Sequence, residues 1–274
     1  MGSGICCGRQ HIENIQQPSS DKLTLKSAVQ TETPAYAKPS AAQLDRLKAY
    51  LDTHRETLPR KAISLFSAVL ENSHREQREV SIRLVSLGTV GARSLAVLLP
   101  YYSHITSLKL WKTKLGAEGV VLLAAELPKL TELATLGLED NAMAYEGVVA
   151  LARALPSLLR LQELWLPVNA INAKGAQSLA PALRLLRNLT AINLDENSIE
   201  AEGLQIVLSS LHSLTGLNSL SVAYNSISSA CTSHLLDFIK TCPANFKLNL
   251  SGNRLSPEDQ AKLAHSALQV LVKS

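Results

Sequence analysis

Residues 161–189 read LQELWLPVNAINAKGAQSLAPALRLLRNL. Leu161, Leu164, Leu166 and Ile171 are the apolar marks, Asn169 stands between the last two, and Gly175, Leu179 and Leu183 follow. Steps of 28 residues in either direction find the same marks with no insertion. The asparagine position reads Thr113, Asn141, Asn169, Asn197, Asn225 and Asn253. The apolar position three before it reads Leu110, Leu138, Leu166, Leu194, Val222 and Leu250. The glycine position runs Gly91, Gly119, Gly147, Gly175 and Gly203, then breaks to Cys231 and Asp259. One step back from Leu108 and Leu110 reaches Val80 and Ile82, so a weaker first copy begins near Val80 and the copies number about seven. Self-similarity at a fixed period of this size is the mark of a solenoid.

Within each copy the pattern passes from strand to helix. In Leu164-Trp165-Leu166 alternate side chains point to opposite faces, so both leucines turn to the core and Trp165 turns out. The asparagine turns the chain, and its amide can bond the backbone groups that the turn leaves free. Three residues on stand Gly88, Gly116, Ala144, Asn172, Glu200, Ser228 and Ser256, several of them good N-caps. Strands stack ~4.8 Å apart and helices ~8–10 Å apart. The stack is therefore expected to bend, with a parallel sheet on its concave face about 30 Å long for seven strands.

These residues resemble the leucine-rich repeat family, LxxLxLxxN, with the 28-residue spacing of its ribonuclease-inhibitor-like subclass. The resemblance covers Val80 to about Ser274. It implies an α/β leucine-rich repeat solenoid, helices on the convex side, that binds other proteins; the scaffold does not name the partner.

Upstream, the chain changes character twice. Residues 1–40 are polar, with Pro18, Pro34 and Pro39 as breakers, and read as a flexible arm. Its first residues, Met1-Gly2-Ser3-Gly4-Ile5-Cys6-Cys7, resemble a dual acylation signal: myristate on Gly2, palmitate on Cys6 or Cys7. Position 6 departs from the usual serine or threonine. One myristoyl chain holds a membrane only marginally and two hold it stably. The alternative is an unmodified tail. Residues 41–79 read as a helical N-terminal cap, opened by a Ser40-to-Gln43 capping box. Leu44, Leu47 and Leu51 mark its first helix, and Ile63, Phe66, Val69 and Leu70 a second one beginning near Pro59. The run Glu71 to Glu79 reads as a solvated helix end, and residues 80–274 as the repeat domain.

Composition excludes several classes. A formal charge of +4 without a Lys/Arg cluster gives no argument for nucleic acid. No apolar run reaches the ~18 residues that span a bilayer, and the start lacks a secretory signal. There is no GxxxxGK[ST] loop, GxSxG elbow or HExxH helix. The histidines are scattered, and Cys231 and Cys242 read as reduced thiols. No catalytic residue, metal site or cofactor is expected.

The strand register selects the binding face. The position between the strand leucines reads Ser81, Lys109, Gly137, Trp165, Asn193, Ser221 and Asn249. The position after the second leucine reads Arg83, Trp111, Glu139, Pro167, Asp195, Ala223 and Ser251. The next reads Leu84, Lys112, Asp140, Val168, Glu196, Tyr224 and Gly252. Trp111, Glu139, Asp140, Trp165, Asp195, Glu196 and Tyr224 are the candidate partner-binding residues, suited to a protein with a basic surface. The alternative is that the acids solvate the face and the tryptophans pack on neighbouring strands. The expected function is a non-enzymatic adaptor on the cytoplasmic face of a membrane. The other expectation, a regulator of a partner enzyme in trans, follows from the resemblance, which extends to ribonuclease inhibitors and Ran GTPase activators.

Overall fold

The computed structural model describes residues 39–265 and 269–272. The chain divides into residues 1–35 and 36–274, and every described residue lies in the second unit. Gly2, Cys6 and Cys7 lie outside the described residues, as does the arm up to residue 38.

Helix α1 (Ala41–His54) opens on the expected capping box: Ser40 Oγ accepts from the Gln43 N–H while Gln43 Oε1 accepts from the Ser40 N–H. It buries Leu47 and Leu51. Helix α2 (Arg60–Leu70) buries Ala62, Leu65, Phe66 and Val69, and Pro59 is its N-cap rather than its first helical residue. The run from Glu71 to Glu79 is mostly exposed, as expected, but only Glu71, the C-cap of α2, ends a helix. It contains a 3-10 turn, His74–Glu76, in which His74 is fully buried against the edge of Tyr102, and Glu79 opens the first strand. Burial holds the His74 imidazole below its ordinary pKa. The Tyr102 hydroxyl donates to the Leu65 carbonyl at 2.9 Å, and the Tyr50 and Ser94 hydroxyls meet at 3.1 Å. These bonds join the two leading helices to the repeats behind them.

Among the described residues eight parallel strands follow in sequence order: β1 (Glu79–Arg83), β2 (Ser107–Trp111), β3 (Thr135–Gly137), β4 (Glu163–Trp165), β5 (Ala191–Asn193), β6 (Ser219–Ser221), β7 (Lys247–Asn249) and β8 (Gln269–Leu271). From β1 to β7 every paired residue is 28 positions from its partner, as in Leu108↔Leu136↔Leu164↔Ile192. A constant offset places one core side chain on top of the last in every layer, and that row is buried throughout. Strand β8 was not expected. It pairs Lys247↔Gln269, an offset of 22, so a search at period 28 passes over it. The helices between strands are α3 (Gly88–Leu98), α4 (Gly116–Ala124), α5 (Ala144–Ala154), α6 (Ala173–Leu183), α7 (Glu200–Leu211), α8 (Thr232–Thr241) and α9 (Pro257–Ala264). Strand, turn and helix recurring in one register make this unit an α/β leucine-rich repeat solenoid.

Two rows of residues hold the layers together. The buried asparagines form a ladder: the Asn169 amide donates to the Leu138 carbonyl at 2.9 Å, and Asn197 Oδ1 accepts from the Asn169 N–H at 3.0 Å. Asn141, Asn225 and Asn253 repeat the arrangement. The glycine row works by close approach. A Cβ at Gly203 would stand 2.9 Å from the Ala173 Cα, and one at Gly147 would stand 3.3 Å from the Val120 Cβ on the previous helix. Helices α4 to α7 therefore rest their first turns directly on the helix before.

Helix starts differ, where the sequence suggested one kind; Ser228, for example, is extended but makes no side-chain cap and leads into a 3-10 turn before α8. Asn172 and Ser256 are extended N-caps whose side chains accept from Gly175 N and Asp259 N. Gly88, Gly116, Ala144 and Glu200 instead begin their helices with a left-handed φ and no side-chain cap.

Candidate binding face on the parallel sheet

Each strand from β1 to β7 sends its second residue inward and the flanking ones outward. In β4 Leu164 is buried while Glu163 and Trp165 are half-exposed on the outer face. One outward column precedes the predicted three: Glu79, Ser107, Thr135, Glu163, Ala191, Ser219 and Lys247. Plain alternation could have found it, and it contributes Glu163. Glu163 Oε2 accepts from Trp165 Nε1 and from the Thr135 hydroxyl, each at 3.3 Å, and so fixes the edge of the indole.

The first half of the face, β1 to β4, carries aromatic and charged groups. Trp111 ends β2 and is 41% exposed. Beside it Glu139 lies two residues past the end of β3, with its carboxylate folded back over Gly137: a Cβ there would stand 2.9 Å from Oε2. Oε2 is buried and has no hydrogen-bond partner among the described residues. Desolvation raises the Glu139 pKa, against weaker opposing contributions from its own backbone N–H, Arg83 and Lys109. The cations nearby are turned to other groups. Lys109 Nζ is 3.6 Å from Glu79, Lys112 Nζ is 3.1 Å from Asp140, and Arg83 Nε donates to Ser81 Oγ at 3.1 Å.

The second half, β5 to β7, is a closed polar network. Asn249 Nδ2 donates to Ser221 Oγ at 2.9 Å, Ser221 Oγ donates to Asp195 Oδ1 at 2.6 Å, and the Ala223 N–H donates to the same oxygen at 2.7 Å. Asp195 therefore lies on the face as its register required, yet its carboxylate ties β5 to β6. Glu196 and Tyr224 are exposed next to it. The Tyr224 ring lies on Gly252, where a Cβ would come within 2.2 Å, and Tyr224 lines an open hollow of about 540 Å³ with Glu196 and Asn197.

The outermost column has a common backbone. Leu84, Lys112, Asp140, Val168, Glu196, Tyr224 and Gly252 all have φ between +52° and +67°. A left-handed residue just past each strand swings its side chain out along the rim, which is why Leu84, Val168 and Tyr224 are exposed. The structure thus brings Trp111, Glu139, Asp140 and Trp165 together on neighbouring strands, and Asp195, Glu196 and Tyr224 into a second group.

Chemistry for turnover is sparse. Among the described residues no three His, Cys, Asp or Glu side chains are placed to hold a metal ion. Cys231 is buried and Cys242 partly buried, and desolvation pushes each thiol up to about 11. Among the described residues no helix is long and apolar enough to cross a membrane.

No protein-family model matches the chain, and no curated relative matches it. Among solved structures it is similar to a protein from Bacteroides fragilis (13% identity, 81% of this chain and 71% of that one, TM-score 0.47). It is also similar to TLR13 in a TLR13–ssRNA13 complex (17% identity, 72% of this chain, 32% of that one, TM-score 0.35). A third is an internalin from Listeria monocytogenes (14% identity, 86% and 91%, TM-score 0.25). The chain thus spans about a third of TLR13.

Proposed function

We propose that this protein is a non-enzymatic interaction scaffold of the ribonuclease-inhibitor-like repeat subclass that docks a protein partner on the outer face of its sheet. The observation that carries the reading is the set of large exposed side chains on this face: Leu84 64%, Val168 37% and Tyr224 61% in its outermost column and Trp111 41% in the column beside it. Exposed tryptophan and tyrosine are the side chains that dominate the energetics of protein interfaces. Acidic groups between these side chains, Glu139, Asp140 and Glu196, suit a partner with a basic surface. The face is open along its length, which fits a macromolecule better than a small metabolite.

The same reading places myristate on Gly2 and palmitate on Cys6 or Cys7, holding the scaffold at the cytoplasmic face of a membrane. Regulation of a bound enzyme would use the same docking face.

Two experiments test these parts separately. Affinity capture with Tyr224→Ala/Trp111→Ala against wild type should lose a specific partner; identical captures would move the site to the helices. Metabolic labelling with alkyne-myristate should mark wild type and not Gly2→Ala, and the label's absence from wild type would remove the membrane anchor.

A further inference from the structure

We propose that the C-terminal ends of α5 and α6, with the turns that follow them, form a contact surface for an anionic lipid bilayer. Leu159 and Leu185 enter the interface, and Arg153, Arg184 and Arg187 meet the headgroup phosphates. The surface belongs to the folded repeats and stands beside the acylation reading rather than on it.

From Gly147 to Leu194 the chain holds five cations, Arg153, Arg160, Lys174, Arg184 and Arg187, and one acid, Glu163. Glu163 is on the outer face of the sheet, bonded to Trp165. This stretch therefore puts no acid on its helical side. The acids in the corresponding turns of other repeats already have cations of their own: Glu126 has Lys129, Glu132 has Arg160, and Asp237 has Lys240. The side chains of Arg153 and Arg184 are exposed and make no hydrogen bond or ion pair among the described residues. Arg187 Nη1 donates to the uncharged Ser213 carbonyl at 3.3 Å.

These arginines are scattered in sequence, and the fold gathers them. The 28-residue register sets Arg184 beside Pro156 and Arg187 beside Leu159. Asn188 Nδ2 fastens the two turns by donating to the Leu159 carbonyl at 2.7 Å. Arg153, Pro156, Pro181 and Leu185 line one open hollow of about 340 Å³. Leu159 is 64% exposed and Leu185 48%. Two leucines in water thus stand among three guanidinium groups that have no counter-charge.

That pairing suits the boundary of a bilayer. The leucines leave water for the acyl region, and the long arginine stems keep the charged ends among the headgroups. Guanidinium meets phosphate through paired N–H donors, and each cation near an anionic leaflet adds to the attraction. The sheet face carries Glu139, Asp140, Glu163, Asp195 and Glu196, which the same leaflet repels. Charge therefore selects the helical side and leaves the sheet to a protein partner.

The test uses the full chain carrying Gly2→Ala, Cys6→Ser and Cys7→Ser, so that no acyl chain contributes. It is sedimented with vesicles of phosphatidylcholine alone and with vesicles of equal parts phosphatidylcholine and phosphatidylserine. It should sediment with the mixed vesicles only, and less as salt rises. Adding Arg153→Gln/Arg184→Gln should weaken that binding by about tenfold or more, at roughly fivefold per cation lost near an anionic leaflet. Leu159→Ser/Leu185→Ser should weaken it as well, and Tyr224→Ala should leave it unchanged. All four substituted side chains in the two pairs are exposed, so both pairs should melt with the parent and lost binding cannot be put down to lost fold. Equal binding to the two vesicle types, or binding that either pair leaves unchanged, would overturn the bilayer contact. Capture by polyglutamate with none by vesicles would also overturn it and make the surface a site for an acidic protein. Alkyne-myristate that fails to label wild type, with vesicle binding intact, would remove the anchor and keep this contact; the reverse pair of results would keep the anchor and remove the contact.

Discussion

Asn197 Nδ2 donates to the Leu166 carbonyl, 31 residues upstream, at 3.1 Å. The same amide donates to the Leu194 and Asp195 carbonyls, and its oxygen accepts the N–H groups of Asn169 and Ile171 at 3.0 and 2.9 Å. One side chain therefore closes the turn of its own repeat and fastens it to the one before. Asn197→Ala orphans several buried backbone groups, each costing ~1–3 kcal/mol. The expected loss is about 3 kcal/mol, or some 6–12 °C in Tm at ~2–4 °C per kcal/mol for a chain of this size. A change under about 1 °C in calorimetry would show that the ladder is decorative.

Asp195 and Glu196 are adjacent acids with opposite commitments. Asp195 Oδ1 holds Ser221 and Ala223, whereas Glu196 is exposed. Asp195→Lys should therefore destabilise the fold by about 2 kcal/mol, and Glu196→Lys by less than about 0.5 kcal/mol as an ordinary surface change. Thermal melts of the two variants side by side decide this. Binding tests should accordingly use Glu196→Lys.

Gly203 and Gly216 should respond differently to one methyl group. A Cβ at Gly203 would overlap the Ala173 backbone, and at Gly216 nothing lies within 4 Å. Helix propensity alone favours alanine over glycine by ~1 kcal/mol. In α7 the clash with α6 outweighs that gain, so Gly203→Ala should lower the urea midpoint while Gly216→Ala leaves it in place.

Glu139 sets a pH dependence. Its folded pKa is raised by desolvation, so the protonated form is favoured in the folded state, and the stability this adds is lost as pH rises through the folded pKa. Glu139→Gln lacks the ionising group. Its Tm should exceed that of wild type at pH 7, and the gap should shrink as pH falls through the raised folded pKa toward the ordinary glutamate range. A gap that grows on acidification would reverse the assignment.

Much of this was written in the period. The leucine, asparagine and glycine rows appear at 28-residue steps, and strand alternation put the tryptophans and acids on one face. The reason for the glycine row was not legible, because it lies in the distance between helices rather than in any one helix. Strand β8 escaped because its 22-residue offset breaks the step. The helix starts at Ala144 and Glu200 are left-handed, a strain imposed by the turns between layers that local propensity does not report. The two halves of the face could not be told apart in sequence. Asp195 and Glu139 occupy the same column, and only their neighbours, Ser221 for one and Gly137 for the other, make one a tie between strands and fold the other back with one oxygen, Oε2, lacking a partner among the described residues.

The docking face itself has a rival, since Leu159 and Leu185 are also exposed, and Leu185 lines an open groove of about 340 Å³ with Pro156 and Pro181 between α5 and α6. A photo-crosslinking amino acid placed at Tyr224 in one variant and at Leu185 in another would separate the two surfaces in cells. The sheet-face account expects a specific protein adduct from position 224 and none from 185. An adduct from 185 alone would put the partner on the helices and contradict it.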